Sequence, residues 1–245
     1  MKRREARNFY LYTAPWLIGF FVLTLYPIVY SFYLMFTDMN LTGVGKFIGL
    51  ENLKYAFTDD PLFIKAFINT LKYVVMFVPS SIILAFFVAL LLSKKVKGLG
   101  FFRTAFYITS GVAVTILWGW IYQKDYGIIN YVLSLFGIKG VNWLGDKNIA
   151  MISIVILSLW TIGNNIIIML AGIQDIPQSY YESAQIDGAG AIRQIFSITL
   201  PLCTPTIYFN LIVTIIAAFQ VFQQPLILTN GGPLNSTYTA AIHMY

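Results

Sequence analysis

The run YVVMFVPSSIILAFFVALLLS, Tyr73 to Ser93, contains no Asp, Glu, Lys or Arg and is bracketed by Lys72 and Lys94. About 20 such residues span the hydrocarbon core of a bilayer as a helix, and a charge at its centre costs a few kcal/mol. The run therefore reads as a membrane span, and four further charge-free stretches share its character. They lie between Arg7 and Asp38, between Arg103 and Lys124, between Lys147 and Asp175, and after Arg193. The predicted spans are 11–36, 70–92, 104–122, 149–171 and 202–224, all within one membrane domain covering 1–245.

Composition supports this. The chain is 58% hydrophobic and only 11% charged, with a mean hydropathy of +0.73, whereas soluble domains carry about 25% charged residues. A lone cysteine, Cys203, and a lone histidine, His243, exclude an intrachain disulfide and a His/Cys metal cluster. The formal net charge of +6 forms no basic stripe with interleaved aromatics, so nucleic acid is not an expected partner. The amino-terminal Met1-Lys2-Arg3-Arg4 imitates a signal peptide, but its apolar run is too long and ends in no small-x-small site. It is expected to stay as the first span.

Lys and Arg near span ends set orientation. Lys2, Arg3, Arg4 and Arg7, and then Lys94, Lys95, Lys97 and Arg103, place the amino terminus and the loop after the second span in the cytoplasm. Loops 37–69 and 123–148 mix both signs, carry turn residues such as Thr42-Gly43-Val44-Gly45, and are expected outside. Counting spans then puts 172–199 inside. Tyr10, Trp16, Tyr107, Trp118, Trp120 and Trp143 read as interfacial anchors. Asn235-Ser236-Thr237 fits a glycosylation acceptor, a pattern common by chance.

No predicted span holds an ionisable residue for proton coupling, although sodium sites built of carbonyls and hydroxyls need none. No Gly-x-x-x-x-Gly-Lys-Ser/Thr loop is present to bind nucleotide phosphates, and no nucleophile, base and metal set points to an enzyme. No cofactor is expected.

The informative loop is Ile176-Pro177-Gln178-Ser179-Tyr180-Tyr181-Glu182-Ser183-Ala184-Gln185-Ile186-Asp187-Gly188-Ala189-Gly190, continuing to Ile198-Thr199-Leu200-Pro201. Ser179 and Glu182 have capping-box spacing, predicting a helix from about Gln178 to the glycines and a second from about Ala191. Ile192, Ile195, Phe196 and Thr199 recur at helical spacing, so that face is expected against the spans.

Glu182-Ser183-Ala184, then Gly188, Ile198 and Leu200-Pro201, resembles the EAA loop of permease subunits in binding-protein-dependent ABC importers. Only Ser183 departs, with a small residue replacing a small residue. Leu25-Tyr26-Pro27, Phe36-Thr37-Asp38, Gly49-Leu50-Glu51-Asn52, Asn69-Thr70-Leu71, Asp125-Tyr126-Gly127, Asn142-Trp143-Leu144-Gly145-Asp146 and Thr229-Asn230-Gly231-Gly232-Pro233 extend the resemblance to the carbohydrate branch. They are similar to the first of its two permease subunits, the maltose or glycerol-phosphate type.

The resemblance implies an all-α, polytopic type I ABC importer permease fold with five visible spans, a sixth being missing at the carboxyl end. It also implies a non-catalytic subunit in a bacterial or archaeal cytoplasmic membrane. Its partners would be a second permease subunit, two copies of a cytoplasmic ATPase subunit, an extracytoplasmic substrate-binding protein, membrane lipid and a carbohydrate substrate. Glu182, Ser183, Ala184, Asp187, Gly188 and Ala189 would couple to the ATPase. Gly188 is read as a turn where a Cβ would clash, and Ala184 and Ala189 as keeping the contact close. Polar residues within spans are candidates for the substrate path: Asn164 and Asn165, then Asn210, Thr214 and Gln220, walled by Trp160 and Phe219. The same amides could instead bond neighbouring helices. An ion-coupled carrier or channel independent of an ATPase is the alternative.

Overall fold

The computed structural model describes residues 2–39, 45–93 and 111–245. Helix α1 (Lys2–Phe20) runs through a π-helical turn (Phe21–Leu25) into α2 (Tyr26–Met35), followed by strands β1 (Thr37–Asp38) and β2 (Lys46–Phe47). The long α4 (Phe63–Ser93) follows α3 (Glu51–Lys54) and a π-turn (Tyr55–Asp59). Then come α5 (Val112–Ile121), α6 (Ile128–Leu135), α7 (Ala150–Trp160), α8 (Gly163–Gln174) and α9 (Gln178–Ile186). A short α10 (Ala191–Gln194), a π-turn (Ile195–Thr199) and α11 (Leu200–Leu202) lead to α12 (Thr204–Phe219), α13 (Gln223–Thr229) and α14 (Ala240–His243). The basic loop Lys94, Lys95, Lys97 and Arg103, the start of the third predicted span with Tyr107, and Thr42-Gly43-Val44 lie outside the described residues.

Two segments, Arg7–Met35 and Phe63–Ser93, are single helices long and apolar enough to cross a membrane. The stretches read as the fourth and fifth spans are both bent. α7 and α8 meet at 51°, and Ala191–Leu202 meets α12 at 66°. At the first bend the Thr161 N–H and hydroxyl both turn back to Ser158 O, at 3.1 and 2.9 Å, and end the i to i−4 ladder.

The chain forms two compact units, 1–64 and 65–245. In the first, the strands pair antiparallel with Thr37 opposite Phe47. The Asn52 amide donates to Met35 O at 3.1 Å and Thr37 O at 3.0 Å, so the motif Gly49-Leu50-Glu51-Asn52 closes the end of α2.

In the second unit α4 and the α7–α8 pair run in the same direction. Near their starts Tyr73, Val74 and Val78 pack with Met151, Ile154 and Val155 and with Ala218 and Val221. Near their ends Ala85, Phe86, Ala89 and Leu92 pack with Ile166, Met169, Leu170, Ile173 and Cys203. Ala85 and Ala89, four apart and fully buried, let the backbones approach, since lipid supplies no hydrophobic drive and close packing must hold the helices. Gly172 does the same between α8 and α12, because a Cβ there would sit 2.4 Å from Thr206 Oγ1.

The motif residues near the start of α4 grip the loop after α13. Asn69 donates to Asn235 O (2.8 Å) and Tyr238 O (3.0 Å), and Thr70 Oγ1 accepts from the Ala240 N–H at 2.9 Å. Within that loop the Thr229 and Thr237 hydroxyls lie 2.6 Å apart, and Thr237 also donates to Gly232 O. Trp143, read as an interfacial anchor, instead donates to Asn130 Oδ1 at 2.9 Å beside the Tyr122 ring.

Candidate functional site

Two features of the second unit can do more than hold the fold. The first is the 176–199 loop. α9 starts at Gln178 as expected, but Pro177 is its N-cap and no side chain caps it, so Ser179 and Glu182 form no capping box. Proline is tolerated there because a residue ahead of the first turn has no intrahelical acceptor for an N–H, so the ring removes no ladder bond. The far end is a Schellman closure: Gly188 N–H donates to Gln185 O at 3.0 Å and Ala189 N–H to Ala184 O at 2.8 Å. Gly188 sits at φ +78° with open space where a Cβ would be. The positive φ, not a clash, is what selects glycine.

The loop is fastened to the helices beneath it. Gln194 Nε2 donates to Ala189 O at 2.9 Å, and the Tyr181 hydroxyl lies 3.0 Å from the buried Thr199 hydroxyl. Ile176, Ile195 and Leu200 pack on the cluster formed by the ends of α4 and α8. Glu182, Ser183, Asp187 and Gly188 are exposed, and Ala184 and Ala189 are half-buried with their backbones in the closure. The face expected to lie inward is split. Ile195 and Thr199 turn in, whereas Ile192 and Phe196 are 74% and 64% exposed, as is Ile186 at 87%. Hydrophobic periodicity cannot separate a core face from a face kept for a partner, and Ile186 stood outside any pattern. The result is a braced loop carrying two exposed carboxylates and three exposed apolar side chains, a composition suited to docking.

The second feature is a cavity of about 440 Å³ between α4, α7–α8 and α12–α13. Asn164, Asn165, Thr214 and Gln220 line it with Tyr73, Ser158, Gln223 and Gln224, and among the described residues no charged side chain does. Two interruptions border it, Thr161–Ile162 and Gln220–Phe222. Broken backbone at membrane depth is tolerated where it faces protein or a wet cavity, and there it offers polar groups to a solute.

Among the predicted path residues, Asn164, Asn165, Thr214 and Gln220 come together at this cavity, while Asn210, Trp160 and Phe219 lie off its wall. Asn210 is fully buried behind it: Nδ2 donates to Asn165 O at 3.0 Å, and Thr214 Oγ1, which accepts from Asn165 Nδ2 at 2.9 Å, donates to Asn210 O. These bonds clamp α8 to α12. Trp160 is half-exposed with its ring edge-on to Trp118, centroids 5.9 Å apart. Gln223 and Gln224 went unpredicted because 202–224 was read as one continuous span.

A bundle of apolar, interrupted helices around an uncharged polar cavity, with a braced helix–turn–helix protrusion, defines a multi-helix membrane transport component. Residues 61–245 match the family described as binding-protein-dependent transport system inner membrane component, and the chain belongs to that family. It is 37% identical over 250 residues to the probable ABC transporter permease protein YesP of Bacillus subtilis (strain 168), covering 99% of this chain and 81% of that one. It is 34% identical over 247 residues to the trehalose/maltose transport system permease protein MalF of Thermococcus litoralis, covering 99% and 83%. A crystal structure of a bacterial ABC transporter involved in the import of the acidic polysaccharide alginate contains a chain with the same fold. The TM-score is 0.79 at 22% identity, covering 99% of this chain and 85% of that one. The fold is thus the all-α type I ABC importer permease fold, and the chain is a non-catalytic inner-membrane permease component of a binding-protein-dependent ABC importer.

Proposed function

We propose that this chain is one of two permease subunits in an ATP-driven importer of a carbohydrate. It would pair with a second, different permease and work with two copies of a cytoplasmic ATPase subunit and an extracytoplasmic binding protein. Its amino terminus and the 176–199 loop would face the cytoplasm. The observation that carries the coupling role is the protrusion itself, since closure of an ATPase can move the bundle only through a loop that does not yield. Bonds from Tyr181 and Gln194 and the Gly188 closure supply that stiffness. Glu182 would take a charge-assisted bond from a basic group of the ATPase, Asp187 would lie beside it, and Ser183, Ala184 and Ala189 would keep the contact close.

The substrate path runs past Asn164, Asn165, Thr214 and Gln220. Asn210 holds Asn165 in place from behind, and Trp160 walls the approach. Amide, hydroxyl and aromatic groups without charge suit the hydroxyls of a sugar. The carbohydrate class is supported by relatives named for trehalose/maltose and arabinooligosaccharides.

Transport and ATP hydrolysis by the reconstituted complex test this. E182Q together with G188V should leave insertion intact and cut uptake at least tenfold. Normal uptake with both changes would refute the coupling role.

A further inference from the structure

A second cavity, of about 600 Å³, lies at the end of the second unit opposite the 176–199 loop. Lys65, Asn69, Lys72 and Met76, spaced along one face of α4, form one wall. Lys147, Asn148, Met151 and Ile152, at the start of α7, form the other, and Leu234 and Ser236 close it above. Among the described residues no acidic side chain lines it. Asp146, the nearest acid in sequence to Lys147, uses Oδ1 to accept the Asn148 N–H at 2.8 Å. Lys65 Nζ donates to Leu234 O at 2.7 Å, which pins one ammonium at the rim. Ser236 Oγ is buried and has no hydrogen-bond partner among the described residues. Three ammonium groups around one cavity repel each other until an anion joins them.

The lining is layered. Lys72 and Lys147 stand where the apolar stretches begin; Met76 follows Lys72 by four residues, about 6 Å deeper along α4, and Met151 lies in the first turn of α7, which Lys147 precedes. A soluble anion would use the lysines and Ser236 and leave Met76, Met151 and Ile152 uncovered. A lipid phosphate would use the lysines and Ser236 while its glycerol and first acyl carbons cover Met76, Met151 and Ile152.

We infer that this pocket binds the phosphate headgroup of an anionic lipid at the membrane boundary, bracing the α4–α7 contact and the 229–240 loop that Asn69 holds. The inference needs the chain to sit in a membrane and is independent of which solute is carried.

The test uses the assembled importer in detergent, with retained lipid read by native mass spectrometry and melting followed with added phosphatidylglycerol or phosphatidylcholine. The wild type should retain phosphatidylglycerol and melt several degrees higher with it than with phosphatidylcholine. K72Q/K147Q should lose that preference at least fivefold, whereas K72R/K147R should keep it, since all three pocket lysines are exposed and tolerate substitution. K124Q/K139Q, removing equal charge from exposed positions outside the pocket, should change nothing. Undiminished phosphatidylglycerol on K72Q/K147Q, equal loss in K124Q/K139Q, or equal stabilisation by inorganic phosphate would each overturn the inference. Loss of sugar uptake with the lipid preference intact would bear on the transport reading alone.

Discussion

Replacing Gly172 by alanine should loosen the joint through which, in the proposed coupling, the 176–199 loop would move the helices. Gly172 lies in the last turn of α8 and Thr206 in the first turn of α12, on either side of the loop. An added Cβ would meet Thr206 Oγ1 at 2.4 Å and its Cβ and Cγ2 at 2.8 Å, about 1 Å inside ordinary contact. Overpacking of this kind costs about 1–3 kcal/mol. Alanine gains back about 1 kcal/mol over glycine inside a helix. The net loss is therefore about 0–2 kcal/mol, and the sign of the packing term is better read from a cycle than from one variant. T206G removes all three clashing atoms, so G172A should cost 1–2 kcal/mol less on the T206G background, as expected for contacting residues, at about that size. Melting of the assembled importer measures the stability term, and uptake per ATP hydrolysed measures transmission. G172A should lower both, and the double variant should recover uptake per ATP. If G172A melts above wild type, or T206G fails to rescue it, the close approach of α8 and α12 does not carry the load.

Three further outcomes are expected. N69A removes both amide donors to Asn235 O and Tyr238 O, and at about 1 kcal/mol per bond should cost about 2 kcal/mol, seen as faster proteolysis of the 229–240 loop. T237V removes the contact to Thr229, which keeps its own bond to Pro225 O, and takes the donor from Gly232 O, so it should destabilise the assembled complex by about 1 kcal/mol in chemical denaturation. N164A/Q220A should reduce uptake about tenfold while assembly and binding-protein-stimulated ATP hydrolysis stay near wild type, and unchanged uptake would remove these residues from the path.

Much of this was legible in the sequence, and the gaps have physical reasons. Counting charge-free stretches locates apolar helices because a buried charge is costly, but it is blind to bends. The break at Thr161–Ile162 has no proline and turns on hydrogen bonds to Ser158 O. The protruding loop was readable because a glycine at a fixed distance from a polar helix signals a Schellman end. Its start at Gln178 was read correctly but its cap was not, because Ser179 fits a capping box that Pro177 pre-empts. Ile192 and Phe196 were read as inward because a docking surface and a core share the same residue types. Asn69 and Asn52 gave no sequence signal of their roles, since an amide beside a helix end looks alike whether it faces water or holds two carbonyls. Asn210, four residues from Thr214 on one helix, reads as a solute ligand until its burial behind Asn165 is known.

The central claim, that the 176–199 loop docks on an ATPase, is tested most directly by disulfide or bifunctional cross-linking from S183C in a C203A background within the assembled complex. Ser183 is exposed, and Cys203, the chain's single cysteine, is buried. The account predicts a cross-link to the ATPase subunit whose yield changes between nucleotide-free and ATP-bound states, and no labelling of S183C by an impermeant maleimide added outside intact cells. Labelling from outside, or no cross-link to the ATPase in any nucleotide state, would contradict it.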